Sequence, residues 1–221
     1  MIKCLSCAAQ IAPQLVCPRC GAPLPHDLDC FAALGIPRNL TIDPEQLETA
    51  YHELSRKVHP DRFATKSAAL RDSSLRATAL LTRAYRTLRD PVGRGLYWLE
   101  LNGHKLSANN NRVPPDLAEL VFEVQEQLEE LSRDPSCESR RGIESRRLAL
   151  QSALNDANAR LAENFGKWNV AQLSRKALTD ELKSTLSRIA YLRTLIRDVD
   201  RGLEETGLSP EPRRSPNSDG S

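Results

Sequence analysis

The sequence predicts an all-α protein: a helical hairpin, then a three-helix bundle, with a small cysteine-held module in front. Three observations lead there. Apolar residues recur at three- and four-residue intervals through a series of segments. A His59-Pro60-Asp61 break separates the first two of these. Four of the six cysteines fall in two CxxC pairs ahead of the first helix.

The leading module, residues 1–26, carries Cys4-x2-Cys7 and Cys17-x2-Cys20, nine residues apart, with Pro18 inside the second pair and Gly21 just after it. Zinc prefers four soft ligands in a tetrahedron, and paired CxxC knuckles supply them while stapling a segment too small to build a core. A structural zinc site of zinc-ribbon type on Cys4, Cys7, Cys17 and Cys20 is the expectation. The same four thiolates suit iron of rubredoxin type, and the spacing does not choose between the two metals. Disulfides are disfavoured in a reducing cytoplasm. No strand-helix pattern of a thioredoxin unit surrounds either pair, and Cys30 and Cys137 read as unpaired cysteines.

The first long helix has a start signal in Asp43-Pro44-Glu45-Gln46: an N-cap acceptor, a proline at the first helical position and a glutamine three residues after the cap. Leu47, Ala50, Tyr51, Leu54 and Val58 form its apolar stripe, with Glu48, His52, Glu53, Arg56 and Lys57 largely off it. Pro60 lacks an amide hydrogen and disfavours helical geometry at His59, so the helix should stop by Val58 and hold His59 and Asp61 in a turn. A second stripe follows in Leu70, Ser74, Ala77, Leu81, Ala84, Tyr85 and Leu88, ending before Asp90-Pro91. Two antiparallel helices joined by an exposed turn is the economical reading.

Pro91 to Leu101 reads as a further short helix, completing a domain over 29–102. Turn formers at Asn102-Gly103 and Asn109 to Pro115 mark a linker at 103–115. Three long segments without strand signals follow, at 116–133, about 138–165 and about 170–205, and their stripes close into one bundle over 116–205. Gly166 and Gly202 read as helix ends, and 206–221, rich in Pro, Ser and Arg, as a disordered tail. Phe122 and Tyr191 each stand one step of about 100° from the core positions Val121 and Leu192, so both should be partly exposed.

Composition narrows the function. A net charge of +2 with 5% aromatics lacks the basic excess of a nucleic-acid binder, and no apolar run approaches a membrane span. The N-terminus shows neither a secretory nor a transit pattern, so a cytoplasmic protein is expected.

Residues 31–37 (FAALGIP), 50–61 (AYHELSRKVHPD) and 84–91 (AYRTLRDP) together resemble the J-domain family. The resemblance implies that the helix before the turn and the turn itself dock on the ATPase and linker region of a DnaK-type heat-shock chaperone and speed its ATP hydrolysis. It assigns His59, Pro60 and Asp61 as the functional turn and Arg56, Lys57 and Arg62 as basic contacts. Glu48 and His52 stand where many J-domains carry lysine or arginine, so electrostatic steering should be weak and salt-sensitive. A J-domain followed by Asn-Gly and a three-helix bundle resembles the HscB-type co-chaperones of iron-sulfur cluster assembly. That likeness implies that the bundle presents an IscU-type scaffold to a DnaK- or HscA-type chaperone, with Ala118, Leu120, Phe122 and Tyr191 on the scaffold-facing surface. Glu119 departs from it, being charged where the family tends to be apolar. The tetracysteine extension is similar to that of the family's eukaryotic branch.

On this reading the chain is a two-partner adaptor and performs no covalent chemistry. The alternatives are a general J-protein that binds unfolded clients through its zinc module, and a metal or redox enzyme on the cysteine quartet. Four equivalent closed ligands count against the enzyme.

Overall fold

The structure is a computed structural model that describes residues 1–24, 27–106, 113, 115–170 and 175–206. It divides into two compact units, Met1–Ser107 with Ala159–Leu186, and Ala108–Asn158 with Ser187–Ser221.

In the first unit, strands β1 (Ile2–Lys3) and β2 (Gln10–Ile11) pair antiparallel with Ile2 opposite Ile11. Helix α1 (Cys30–Leu34) starts at Asp29, whose carboxylate accepts from the Phe31 and Ala32 amides at 2.9 Å, and ends at Gly35 with φ 66°. Helix α2 (Pro44–Val58) is capped by Asp43, as its start signal predicts, and stops at Val58. A short 3-10 turn, Pro60–Phe63, then leads to α3 (Ala68–Arg89) and to α4 (Pro91–Leu101), which Asp90 caps through the Val92 and Gly93 amides.

The antiparallel stripes meet as their periodicity requires. Leu47 and Val58 of α2 and Ala77, Leu81, Ala84 and Leu88 of α3 are buried around Phe31 and Leu34, and Tyr51 stacks on Tyr85 at 4.2 Å. Leu15 and Leu28 belong to this same core, so the chain around the second knuckle is packed into the hairpin. Leu70, expected on the hairpin stripe, packs instead against the small cluster of Cys4, Cys17, Ala22 and Leu24. Burial of each such leucine is worth about 1.5–3 kcal/mol.

The first unit also holds the stretch where the two longest helices, α6 (Cys137–Val170) and α7 (Arg175–Glu205), face α4. A Cβ on Gly95 would meet Leu186 at 3.2 Å and Phe165 at 3.5 Å, so the bare backbone at Gly95 lets α4 pack closely there. Trp98 stands edge-on to Trp168 at 5.6 Å, and the buried Arg94 lies over Phe165 while donating to the Leu40 carbonyl at 3.0 Å.

The second unit is a three-helix core made by α5 (Ala118–Arg133) and the adjoining parts of α6 and α7. Val121, Val124, Leu131, Ile143, Leu150, Ile189, Leu192 and Val199 are buried in it. Helix α6 begins with a reciprocal pair: the Ser139 amide donates to Ser136 Oγ at 3.1 Å and the Ser136 amide to Ser139 Oγ at 3.0 Å.

Several expectations are corrected. Gly166 is not a helix end: α6 runs on to Val170, carried by Phe165 and Trp168 packing against α4. Gly202 lies inside α7, where a Cβ would come within 2.7 Å of Leu128, so its smallness serves helix approach. Leu161, Leu178 and Leu182, expected in the bundle over 116–205, fall in the first unit, because that stretch of α6 and α7 packs on α4. The first break between the compact units, after Ser107, falls inside the expected linker at 103–115, and 159–186 group with the first unit. Most of that linker, and the tail apart from Thr206, lie outside the described residues.

Candidate functional site

The turn after α2 is held by its backbone. Helix ends leave carbonyls without partners, and the last one of α2, Val58, accepts from Ser74 Oγ at 2.6 Å and Thr78 Oγ1 at 3.3 Å, both on α3. Phe63 is buried and anchors the far side of the turn. Between these anchors the His59 and Asp61 side chains are 53% and 91% exposed, and Pro60 is half-buried.

His59 has an extended backbone (φ −54°, ψ 131°), as a residue before proline should. Its Nδ1 accepts from the Asp61 amide at 3.3 Å, which leaves the proton of the neutral ring on Nε2. Nδ1 also lies 3.5 Å from an Asp61 carboxylate oxygen, an ion pair only when the ring carries both protons. The ring is oriented by one backbone hydrogen bond, with Nε2 directed away from it.

The basic residues divide. Arg62 Nη1 donates to the Arg56 carbonyl at 3.2 Å, and Arg56 Nε to the His52 carbonyl at 3.3 Å, so both guanidinium groups sit at the negative end of α2. Lys57 is exposed, and among the described residues no ion pair engages it, although Glu53 stands four residues before it. His52 lies 3.5 Å from Glu48 on the exposed face, the departure in charge noted from the sequence. Sequence reasoning placed Ser74 in the apolar stripe and missed the hydroxyl's work. The available signal was a serine, followed four residues later by Thr78, on an otherwise apolar face.

The four cysteines of the module converge. Their sulfurs all lie within 4.8 Å of one another, with Cys4 to Cys20 at 3.5 Å and Cys7 to Cys17 at 3.8 Å. A tetrahedron with metal–sulfur bonds of about 2.3 Å has edges of about 3.8 Å, so the set fits one ion. The two knuckles repeat each other: the Cys4 amide donates to the Ala9 carbonyl and the Ala8 amide to the Cys4 carbonyl, as Cys17 does with Ala22 and Gly21 with Cys17. The matching residues Ala8 and Gly21 both have positive φ, 57° and 74°, the first of them against the preference of a Cβ-bearing residue.

Burial raises the Cys4 thiol, but the Cys7 and Ser6 amides and the neighbouring Cys20 and Cys7 thiols outweigh it and bring it down to about 7. At Cys7 the Ala9 amide favours the thiolate, yet burial and the thiols of Cys20, Cys4 and Cys17 push it up to about 11. Like charges crowded at one point resist a second ionisation, which is the condition a bound cation relieves.

On the bundle, Phe122 is 67% exposed and Ala118 is exposed, while Leu120 and Tyr191 are half-buried. Burial, with Asp198 nearby, raises the Tyr191 phenol. The groove beside Phe122 is lined by Gln125, Glu126, Glu129, Glu130, Arg133 and Asp134, and Tyr191 does not line it.

A proline-locked turn that presents histidine and aspartate at the tip of a helical hairpin defines a J-domain, and the DnaJ domain family model matches residues 29–97. The chain is therefore a J-domain co-chaperone by class. The co-chaperone HscB homologue of Bordetella pertussis is 37% identical over 131 residues, covering 58% of this chain and 77% of that protein, and the homologue of Bordetella parapertussis matches equally. The crystal structure of human co-chaperone HscB superposes with a TM-score of 0.66 at 25% identity, covering 94% of this chain and all of that one. HscB from Vibrio cholerae shares the fold, with a TM-score of 0.59 at 24% identity over 80% of this chain and 99% of that one. The chain belongs to the HscB co-chaperone family.

Proposed function

We propose that the protein recruits a DnaK- or HscA-type ATPase chaperone through its J-domain and delivers to it an IscU-type iron-sulfur scaffold held on the bundle, in support of iron-sulfur cluster assembly and transfer. One observation carries the first half: His59 and Asp61 project into solvent from a turn whose backbone is fixed on both sides. A partner can grip these side chains without having to order them first. Arg56, Lys57 and Arg62 flank the grip. Ala118, Leu120, Phe122 and Tyr191 form the scaffold-facing set, with the exposed ring of Phe122 as its anchor.

On this reading the cysteine quartet holds a structural zinc ion and no residue of the chain performs covalent chemistry. The working compartment is the cytoplasm, whose reducing poise keeps the four thiols available to the metal. Supporting a structural role, several apolar side chains around the knuckles are packed: Leu15 and Leu28 in the hairpin core, Leu24 in the cluster that Leu70 joins. Among the described residues no helix is long and apolar enough to cross a membrane.

The test is steady-state ATP hydrolysis by the chaperone, with and without scaffold. His59→Gln should abolish stimulation while scaffold affinity and melting temperature stay within error of wild type. Phe122→Ala with Tyr191→Ala should weaken scaffold binding by about tenfold or more, the loss of an interface anchor, and leave scaffold-free stimulation intact. Stimulation retained by His59→Gln, or an unaltered scaffold dissociation constant in calorimetry, refutes the corresponding half.

A further inference from the structure

A groove of about 640 Å³ runs between the cysteine module and the J-domain helices α1 and α2. Its floor is apolar, with Leu15 and Leu34 buried and Leu54 half-buried. The second knuckle forms one wall through Gln14, Val16 and Pro18, and α2 forms the opposite rim through Glu53 and Lys57, continued by Arg62 beyond the turn. The wall is not a loosely tethered appendage, because Leu15 and Val16 pack on the core that also contains Phe31 and Val58.

We propose that this groove is a second seat for the same ATPase chaperone, taking an extended segment of it that carries an apolar side chain beside a carboxylate. The inference rests on the reading above that the chaperone docks on α2 and its turn. Three features of the site point to it. An interface of ordinary size covers about 800 Å² on each partner, so a chaperone seated on α2 and its turn also reaches surface adjoining them. On the Lys57 and Arg62 side that surface is this groove, which shares both residues with the docking face. Two cations against one carboxylate on the rim, with Lys57 in no ion pair among the described residues, favour an anionic group in the segment that enters. The cysteine module then acts as a selector among chaperones, since a J-domain without it would offer only the α1 and α2 side of the groove.

The experiment compares opposite charges on the module wall, away from the turn. Gln14→Glu with Pro18→Glu should raise the chaperone concentration that gives half-maximal ATPase stimulation by about fivefold per added carboxylate, the factor for one like-charge contact near 4 Å in water. Gln14→Lys with Pro18→Lys should leave it unchanged or lower it. The gap between the two pairs should shrink in 0.5 M salt, and metal content and melting temperature, measured on both, control for folding. Equal weakening by both pairs would mean a structural effect and overturns the proposal, as does no change in either. If those pairs act alike while His59→Gln still abolishes stimulation, the groove fails alone. If wild type gives no stimulation, the docking reading fails with it.

Discussion

The His59-Pro60-Asp61 turn and the cysteine knuckles sit in the same compact unit and solve opposite problems. At the turn the backbone is fixed and the side chains stand in solvent: Ser74 and Thr78 hold the Val58 carbonyl, Phe63 is buried, and His59 and Asp61 are exposed, with one backbone hydrogen bond orienting the His59 ring. At the knuckles the side chains are fixed and the backbone follows, even into the left-handed region at Ala8. On the proposed reading, a surface for another protein keeps its recognition groups in solvent, so most of its supports act on peptide groups. A metal site commits its side chains to one point and bends the chain to bring them there.

The largest effect that would break this contrast comes from emptying the knuckles. Chelation, or Cys17→Ser, should release the module and loosen Leu15 from the hairpin core, at a cost of about 1.5–3 kcal/mol for that leucine alone. A fall of about 2–4 °C in melting temperature per kcal/mol follows for a chain of this size. The turn's hydrogen bonds to α3 should survive, and some ATPase stimulation with them. Reloading should depend on pH with a definite sign. Metal binds thiolates and releases protons, so apparent affinity rises with pH through the Cys4 value of about 7 and on toward the Cys7 value of about 11. Competition at pH 6, 7 and 8, corrected for the chelator's own proton-dependent affinity, reads it, and a flat corrected profile would contradict the like-charge account of the quartet.

A middle effect probes the turn. Ser74→Ala leaves the Val58 carbonyl with only the longer bond to Thr78, and the pair Ser74→Ala with Thr78→Ala leaves it buried and unsatisfied. The pair should destabilise the J-domain by about 1–3 kcal/mol and lower ATPase stimulation, although Ser74 is buried and Thr78 half-buried on α3. Urea melts together with the stimulation assay decide it. Full stimulation with the expected loss of stability would show that the turn keeps its shape without its hooks.

The smallest effect compares one knuckle with the other. Ala8→Gly should stabilise the metal-bound module by about 1 kcal/mol, because glycine accepts positive φ without the Cβ clash, and Gly21→Ala should cost a similar amount. Calorimetric melts of the loaded protein would show the two shifts with opposite signs. Shifts of the same sign would mean that the knuckles are not equivalent.

Much of this was legible before any coordinates, wherever a rule acts over a few residues. Asp43-Pro44 starts α2 and Pro60 ends it, because a cap and a missing amide hydrogen act on immediate neighbours. The converging quartet could be read from CxxC spacing because each pair is a single tight turn. The glycines misled for the same reason. Glycine near a helix end commonly marks a stop, but Gly166 and Gly202 are held inside α6 and α7 by packing, with Leu128 needing the space at Gly202.

By itself, then, the sequence determined where helices start and stop around Asp43 and Pro60, which thiols gather on one point, and that a histidine and an aspartate share a bend. Only the tertiary structure decided that Ser74 and Thr78 hold that bend from sixteen and twenty residues away, that Leu15 joins the hairpin core, and that 159–186 pack with the J-domain. The physical reason is range. Caps, prolines and knuckles act through covalent neighbours, whereas an unpaired carbonyl or an uncovered leucine can be satisfied from anywhere in the chain, and its partner is fixed only when the whole core packs.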